Sequence, residues 1–101
     1  MAAVNGQATI SADILASYAA DAAREVPGVR GFVESPLPGR RGVRISEEDG
    51  RFRVELHLAV DWGASIPELG RSVQERVREY LGRMADVDPT TVDVVVEEVG
   101  R

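Results

Sequence analysis

Residues 51–62 read Arg-Phe-Arg-Val-Glu-Leu-His-Leu-Ala-Val-Asp-Trp, and this stretch decides the fold. Its apolar residues alternate with Arg51, Arg53, Glu55, His57 and Asp61. Because successive side chains of a strand point to opposite sides of a sheet, period two predicts a long strand with one buried and one polar face. We expect this strand at or near the centre of its sheet, with its apolar face covered by other elements.

A second amphipathic pattern follows, and it predicts an element that could cover the apolar face of this strand. From about residue 66 to residue 84, apolar residues recur at spacings of three and four, which predicts a helix with one apolar stripe. Pro67 stands near its start, where a missing N–H costs little. The stripe consists of Ile66, Leu69, Val73, Val77, Tyr80, Leu81 and Met84.

Shorter elements complete the chain on both sides. Ser11 is predicted to cap a first amphipathic helix that ends near Val26, because Pro27 disfavours helical backbone in the residue before it. Strands are predicted at residues 8–10, 29–33, 43–46 and 91–99. The order β-α-β-β-β-α-β predicts an α+β two-layer sandwich with both helices on one face of a mixed sheet. We expect residues 1–101 to form a single domain with a core from about residue 8 to residue 99.

Composition narrows the functional classes. The chain has 101 residues, no cysteine and a net charge of −5, so disulfides and thiolate metal sites are excluded. The negative charge disfavours general nucleic-acid binding and adsorption to anionic membranes. Residues 1–8 lack the pattern of a signal peptide, and no apolar run approaches the ~20 residues that span a bilayer. These observations predict a cytoplasmic protein without direct membrane insertion.

A catalytic or metal site is not expected. His57 is the only histidine, and a carboxylate two residues along the same strand face is expected about 7 Å away, too far to orient an imidazole. Glu97 and Glu98 are expected on opposite faces of the last strand. We therefore interpret His57 as a solvated surface histidine, and predict no enzymatic activity and no cofactor.

Two surfaces remain as candidates for binding. Gly39-Arg40-Arg41-Gly42 matches the GxxG pattern of KH-type RNA-binding loops, where Arg40 and Arg41 would suit phosphate. A KH loop joins two helices, however, and here a strand is predicted after Gly42. The other candidate is the polar face of the sheet, which is either a solvated surface or an interface for a protein partner. Its predicted residues are Arg44, Arg51, Arg53, Glu55, His57 and Asp61, with Asp93 and Glu97 on the last strand. Trp62 is expected to act as a lid on the core.

The order of local motifs is similar to that of the alkaline shock protein family, also called the envelope stress response family of Gram-positive bacteria. The first helix closes in Arg24-Glu25-Val26-Pro27-Gly28-Val29, and Asp61-Trp62-Gly63-Ala64-Ser65-Ile66-Pro67 leads into Val73-Gln74-Glu75-Arg76-Val77. The motif positions are Glu25, Pro27, Gly28, Val29, Trp62, Gly63, Gln74 and Val77.

This resemblance carries functional expectations of its own. It implies a non-enzymatic protein of cell-envelope stress or homeostasis that associates with itself or with a protein partner. It also implies peripheral attachment to the membrane through a small membrane-anchored protein. The family supplies no catalytic residues to transfer to this chain.

Overall fold

The computed structural model describes residues 11–33 and 42–100. The elements run in the order α1 (Ala12–Arg24), β1 (Val29–Phe32), β2 (Val43–Glu48), β3 (Arg51–Asp61), α2 (Ile66–Ala85) and β4 (Thr91–Gly100). This order confirms the predicted α+β class. The strand predicted at residues 8–10 lies outside the described residues, as do Arg40 and Arg41.

The long alternating strand, β3, is the centre of the sheet. β1 and β2 pair antiparallel with one of its edges, and β4 pairs parallel with the other. β1 lies beside the C-terminal half of β3, where Val29 faces Val60, and β2 lies beside the N-terminal half, where Val43 faces Leu56. The two short strands therefore form one interrupted edge of a mixed sheet.

The interruption is centred on His57. The Val33 N–H donates to the His57 carbonyl at 3.1 Å, and the His57 N–H donates to the Gly42 carbonyl at 2.7 Å. Gly42 has φ +82°, and a Cβ there would lie 2.8 Å from Phe32 Cβ and from the Val33 carbonyl oxygen. Only glycine fits this position, where residues 34–41 join the two strands.

The core lies between one face of the sheet and the two helices. The inward residues of β3 are at most 1% exposed, and they meet one buried stripe from each helix. These residues are Val54, Leu56, Leu58 and Val60 on β3, Leu15, Ala19, Ala22 and Ala23 on α1, and Leu69, Val73, Val77 and Leu81 on α2. The Tyr18 and Tyr80 rings, 6.0 Å apart and edge to face, join the helices. The two-layer sandwich is therefore as predicted.

The ends of the helices refine the prediction. Ser11 caps α1, because its Oγ accepts from the Ile14 N–H at 3.2 Å. At the two ends of α2, Ile66 and Met84 remain 43% and 47% exposed, so only the middle of the predicted apolar stripe is buried. Neither α1 nor α2, the helices of the described ranges, has the length and apolar content to cross a bilayer.

Candidate interaction surfaces

The outer face of the sheet carries the charged residues that alternate with the core. Arg44 on β2 lies opposite Glu55 on β3, and on the other side Glu55 faces Asp93 on β4. Arg53 lies between Ser46 and Thr91, neither of which is charged. The strands therefore bring the predicted residues of this face onto one surface of mixed charge.

His57 lies in the middle of this face, between two carboxylates. Its Nε2 is 2.5 Å from Glu55 Oε2, and its Nδ1 is hydrogen-bonded to Glu97 Oε2. Ionised carboxylates only accept hydrogen bonds, so an imidazolium that donates from both nitrogens satisfies both partners. The hydrogen bond with Glu55 and then that with Glu97 raise the pKa of His57, against a smaller opposing effect of burial.

This arrangement corrects two expectations from the sequence. Glu55 does reach His57, because the two long side chains close the gap that the backbone rise leaves between them. Glu97 and Glu98 do not lie on opposite faces. The β3–β4 register shifts after Leu58, which faces Val96, so that Ala59 faces Glu98 and Glu97 is an extra residue. This β-bulge turns Glu97 towards His57 and leaves Glu98 on the same outer face.

Asp61 lies at the far end of the same face, away from His57. Its Oδ1 is 3.7 Å from Arg30 Nε. Arg30 was not among the predicted residues, because a register shift between Val29 and Gly31 places it beside Asp61, and nothing in the local sequence indicates that shift. Asp61 therefore belongs to a second site, at the end of the sheet.

That second site is a groove of about 940 Å³. Its walls are the turns at residues 25–28 and 61–65 and the side of α2 from Glu68 to Glu79. The two turns are joined by a hydrogen bond from the Asp61 N–H to the Gly28 carbonyl at 2.8 Å. Gly28 has φ +100°, and a Cβ there would lie 2.8 Å from Leu69 Cδ1, so the turn requires glycine.

The groove combines an apolar floor with an acidic rim. Val26 and Leu69 are buried beneath it. Among residues 11–33 and 42–100, its lining contains one basic side chain, Arg76, and five carboxylates, from Glu25, Asp61, Glu68, Glu75 and Glu79. The Arg76 Nη1 is 3.6 Å from both Glu25 Oε1 and Glu79 Oε1, so the arginine is already shared between two of these acids.

Trp62 forms one wall of the groove and is 63% exposed. The expectation that it is a lid on the core is therefore wrong. β3 ends at Asp61, and Trp62 lies in the turn that follows. There the backbone N–H of Trp62 donates to the Gly100 carbonyl at 2.6 Å. The strand alternation that buries Val60 no longer applies at that position.

Five of the eight family-motif positions line this groove, and the other three stabilise the packing of the helices and the sheet. Glu25, Pro27, Gly28, Trp62 and Gly63 line the groove. The other three positions hold the layers together. Val29 pairs with Val60, Val77 is fully buried, and the Gln74 side-chain amide donates to the Val92 carbonyl at 2.9 Å. Most of the motif positions therefore lie at a groove that was not among the binding surfaces predicted from the sequence.

Metal binding, a catalytic cavity at His57 and a KH-type RNA-binding loop find less support among the described residues. No three His, Asp or Glu side chains within 11–33 and 42–100 are grouped so as to hold a metal ion. His57 does not line the groove, nor two smaller cavities, one near Arg51 and Arg53 and one near Arg30 and Trp62. Gly42 is followed by strand β2, whereas a KH loop joins two helices.

Comparison with known proteins identifies the family. Residues 1–101 match the alkaline shock protein 23 family, which is described as having a cell envelope-related function. The chain belongs to this alkaline shock protein family. The resemblance seen in the motif order is thereby confirmed.

One protein is similar to this alkaline shock family chain in sequence, and a group of solved structures is similar to it in fold. It is 27% identical over 99 residues to the uncharacterized protein YqhY of Bacillus subtilis (strain 168), with 88% of this chain and 73% of YqhY covered. Among solved structures it is similar to MamM-CTD, with a TM-score of 0.59 at 18% identity for one variant, covering 90% of this chain and 99% of that one. A cadmium form of MamM-CTD gives a TM-score of 0.57 at 19% identity, covering 87% and 98%. At these identities the likeness to MamM-CTD concerns the fold alone.

Proposed function

We propose that this alkaline shock family chain serves its cell envelope-related function as a protein-interaction module and not as an enzyme. It associates with itself, or acts as an adaptor for a membrane-anchored protein, through the outer face of the sheet. In this proposal the protein is cytoplasmic and reaches the membrane through its partner. The observation that carries the proposal is the row of charged side chains across β2, β3 and β4, with His57 held between Glu55 and Glu97.

The charge pattern of this face suits pairing with a second copy. A twofold-symmetric contact places the same surface on both partners, so the surface must complement itself. Arg44 and Arg53 supply positive charge, and Glu55, Asp93 and Glu97 supply negative charge across the same strands. Arg53 has uncharged residues opposite it on both neighbouring strands, which leaves its guanidinium suited to an acid on a partner.

Sedimentation at several concentrations tests this proposal with Arg53→Glu. We expect the wild-type mass to rise with concentration and the variant to associate about tenfold more weakly, because opposed like charges are costly at an interface. Arg71→Glu is the matched control, since it makes the same change of charge at an exposed position on α2. A strictly monomeric wild type that also captures no protein from envelope fractions would contradict the proposal.

A further inference from the structure

The acidic groove is a second surface, and its chemistry matches a segment of this same chain. We propose that the groove of one copy binds residues 35–41 of a second copy, with Arg40 and Arg41 on the groove carboxylates. The segment reads Ser-Pro-Leu-Pro-Gly-Arg-Arg. This inference rests on the self-association in the proposed function, but it uses a different surface from the outer sheet face.

Charge is the first argument. Five carboxylates and one guanidinium come from the described residues of the lining; the guanidinium lies between Glu25 and Glu79, and Asp61 lies 3.7 Å from Arg30. The groove therefore concentrates negative charge in a concave site, where the field is focused. Arg40 and Arg41 are the only two consecutive basic residues in a chain of net charge −5. The two consecutive arginines of one copy thus complement an acidic concavity of the next.

Shape and apolar surface are the second argument. The floor of the groove is Val26 and Leu69, and one wall is the exposed indole of Trp62. Proline-rich segments dock on aromatic-lined grooves at low entropic cost, because proline restricts the free peptide. Pro36, Leu37 and Pro38 precede the arginines, so one segment offers both an apolar part for the indole and cations for the rim.

Placement in the fold is the third argument. Residues 34–41 connect Val33 to Gly42, which both hydrogen-bond to the backbone of His57. The groove lies at Asp61, four residues further along β3, or about 13 Å at the rise of a strand. Because each copy carries both the segment and the groove, the contact either closes a twofold dimer, in which each segment fills the other groove, or runs head to tail into rings or open chains.

A peptide titration tests the groove directly, since Trp62 is the only tryptophan. A peptide of residues 33–42 is added to the full chain, and the indole fluorescence is followed. We expect a saturable change that weakens as salt rises from about 0.05 to about 0.5 M, because screening shortens the reach of the charges. A peptide with both arginines replaced by glutamate should bind about tenfold or more weakly.

Charge reversal of the protein supplies the matched variants. Glu68→Arg/Glu75→Arg reverses the charge at two exposed helix positions and leaves three acidic and three basic side chains in the described lining, so it should bind the native peptide about tenfold or more weakly. Glu47→Arg/Glu48→Arg makes the same change of charge outside the groove and should bind the native peptide as the wild type does. Circular dichroism melts check that each variant is folded.

Sedimentation of the whole chain completes the test. Arg40→Glu/Arg41→Glu and the groove variant should each associate about tenfold more weakly than the wild type. The absence of a saturable peptide signal would overturn the inference even if the wild type self-associates through its sheet face. So would peptide binding by a chain that stays monomeric, since the segment would then not join two copies. Binding of single-stranded RNA through Arg40 and Arg41, without peptide binding, would also overturn it. An Arg53→Glu variant without effect counts against the sheet-face proposal alone.

Discussion

The two faces of β3 are built from alternate residues of one strand, yet they have opposite characters. On the inner face, Val54, Leu56, Leu58 and Val60 are at most 1% exposed and form the centre of the core. On the outer face, Arg53, Glu55 and His57 are partly or fully exposed, and His57 bonds to Glu55 on its own strand and to Glu97 on β4. A single period-two pattern thus separates the residues that stabilise the fold from those available for recognition.

The first prediction tests the inner face and has the largest expected effect. Leu56→Ala should lower the free energy of unfolding by about 2–5 kcal/mol, because a fully buried leucine leaves a cavity that the helices cannot close. Urea denaturation measures the change. Leu56→Met, which nearly conserves volume, should cost less than about 1.5 kcal/mol. Equal losses in the two variants would mean that cavity formation is not the cause.

The second prediction concerns Gly42, which lies just before β2 on the interrupted edge of the sheet. Gly42→Ala should cost about 1–3 kcal/mol, because the new Cβ meets Phe32 and Val33 and the backbone has φ +82°. Gly50→Ala is the matched control, with φ +77° and no atom within 4 Å of the added Cβ, so it measures the conformational strain alone. Equal effects on thermal stability would contradict a steric role for the contacts beside His57.

The third prediction tests whether the outer face contributes to stability through His57. Because its pKa is raised above the ordinary 6.5, the folded state holds this proton more tightly than the unfolded state. The stabilisation is therefore full below pH 6.5 and is lost as the pH rises through the folded-state pKa. The difference in unfolding free energy between wild type and His57→Gln should shrink by about 1 kcal/mol or less over this range.

NMR titration provides the direct measurement, because the chain has a single histidine. The pKa of His57 should lie above 6.5 in the wild type and fall towards it in Glu55→Gln and, to a smaller extent, in Glu97→Gln. Glu47→Gln, at an exposed position of β2 that faces Phe52, is the control and should leave the pKa unchanged. A wild-type pKa at or below 6.5 would show that the two carboxylates do not hold the imidazolium.

The fourth prediction has the smallest effect on folding. Arg53→Glu should change the free energy of unfolding by no more than about 0.5 kcal/mol, because the side chain is exposed and its opposite neighbours are uncharged. The same denaturation experiment checks this, with Arg71→Glu beside it. A loss of unfolding free energy as large as that of Leu56→Ala would contradict the conclusion that mainly the inner face stabilises the fold.

Much of the site could be predicted because it follows the regular strand. Glu55, His57 and Arg53 were placed on one face by alternation, which needs no knowledge of the neighbouring strands. The contact between His57 and Glu97 could not be predicted, because it depends on a bulge in β4 that adds one residue against β3. Arg30 beside Asp61 was missed for the same reason, since its position also follows a register shift.

The sequence by itself determined the order of the six described elements, the buried face of β3 and the Ser11 cap, because these depend on local spacing and on capping chemistry. Only the tertiary structure decided where distant segments meet. It brought the turn at residues 25–28 against the turn at residues 61–65, left Trp62 exposed between them, and placed five acids around one groove. The physical reason is that such contacts depend on strand register and on helix packing, which a one-dimensional pattern does not specify.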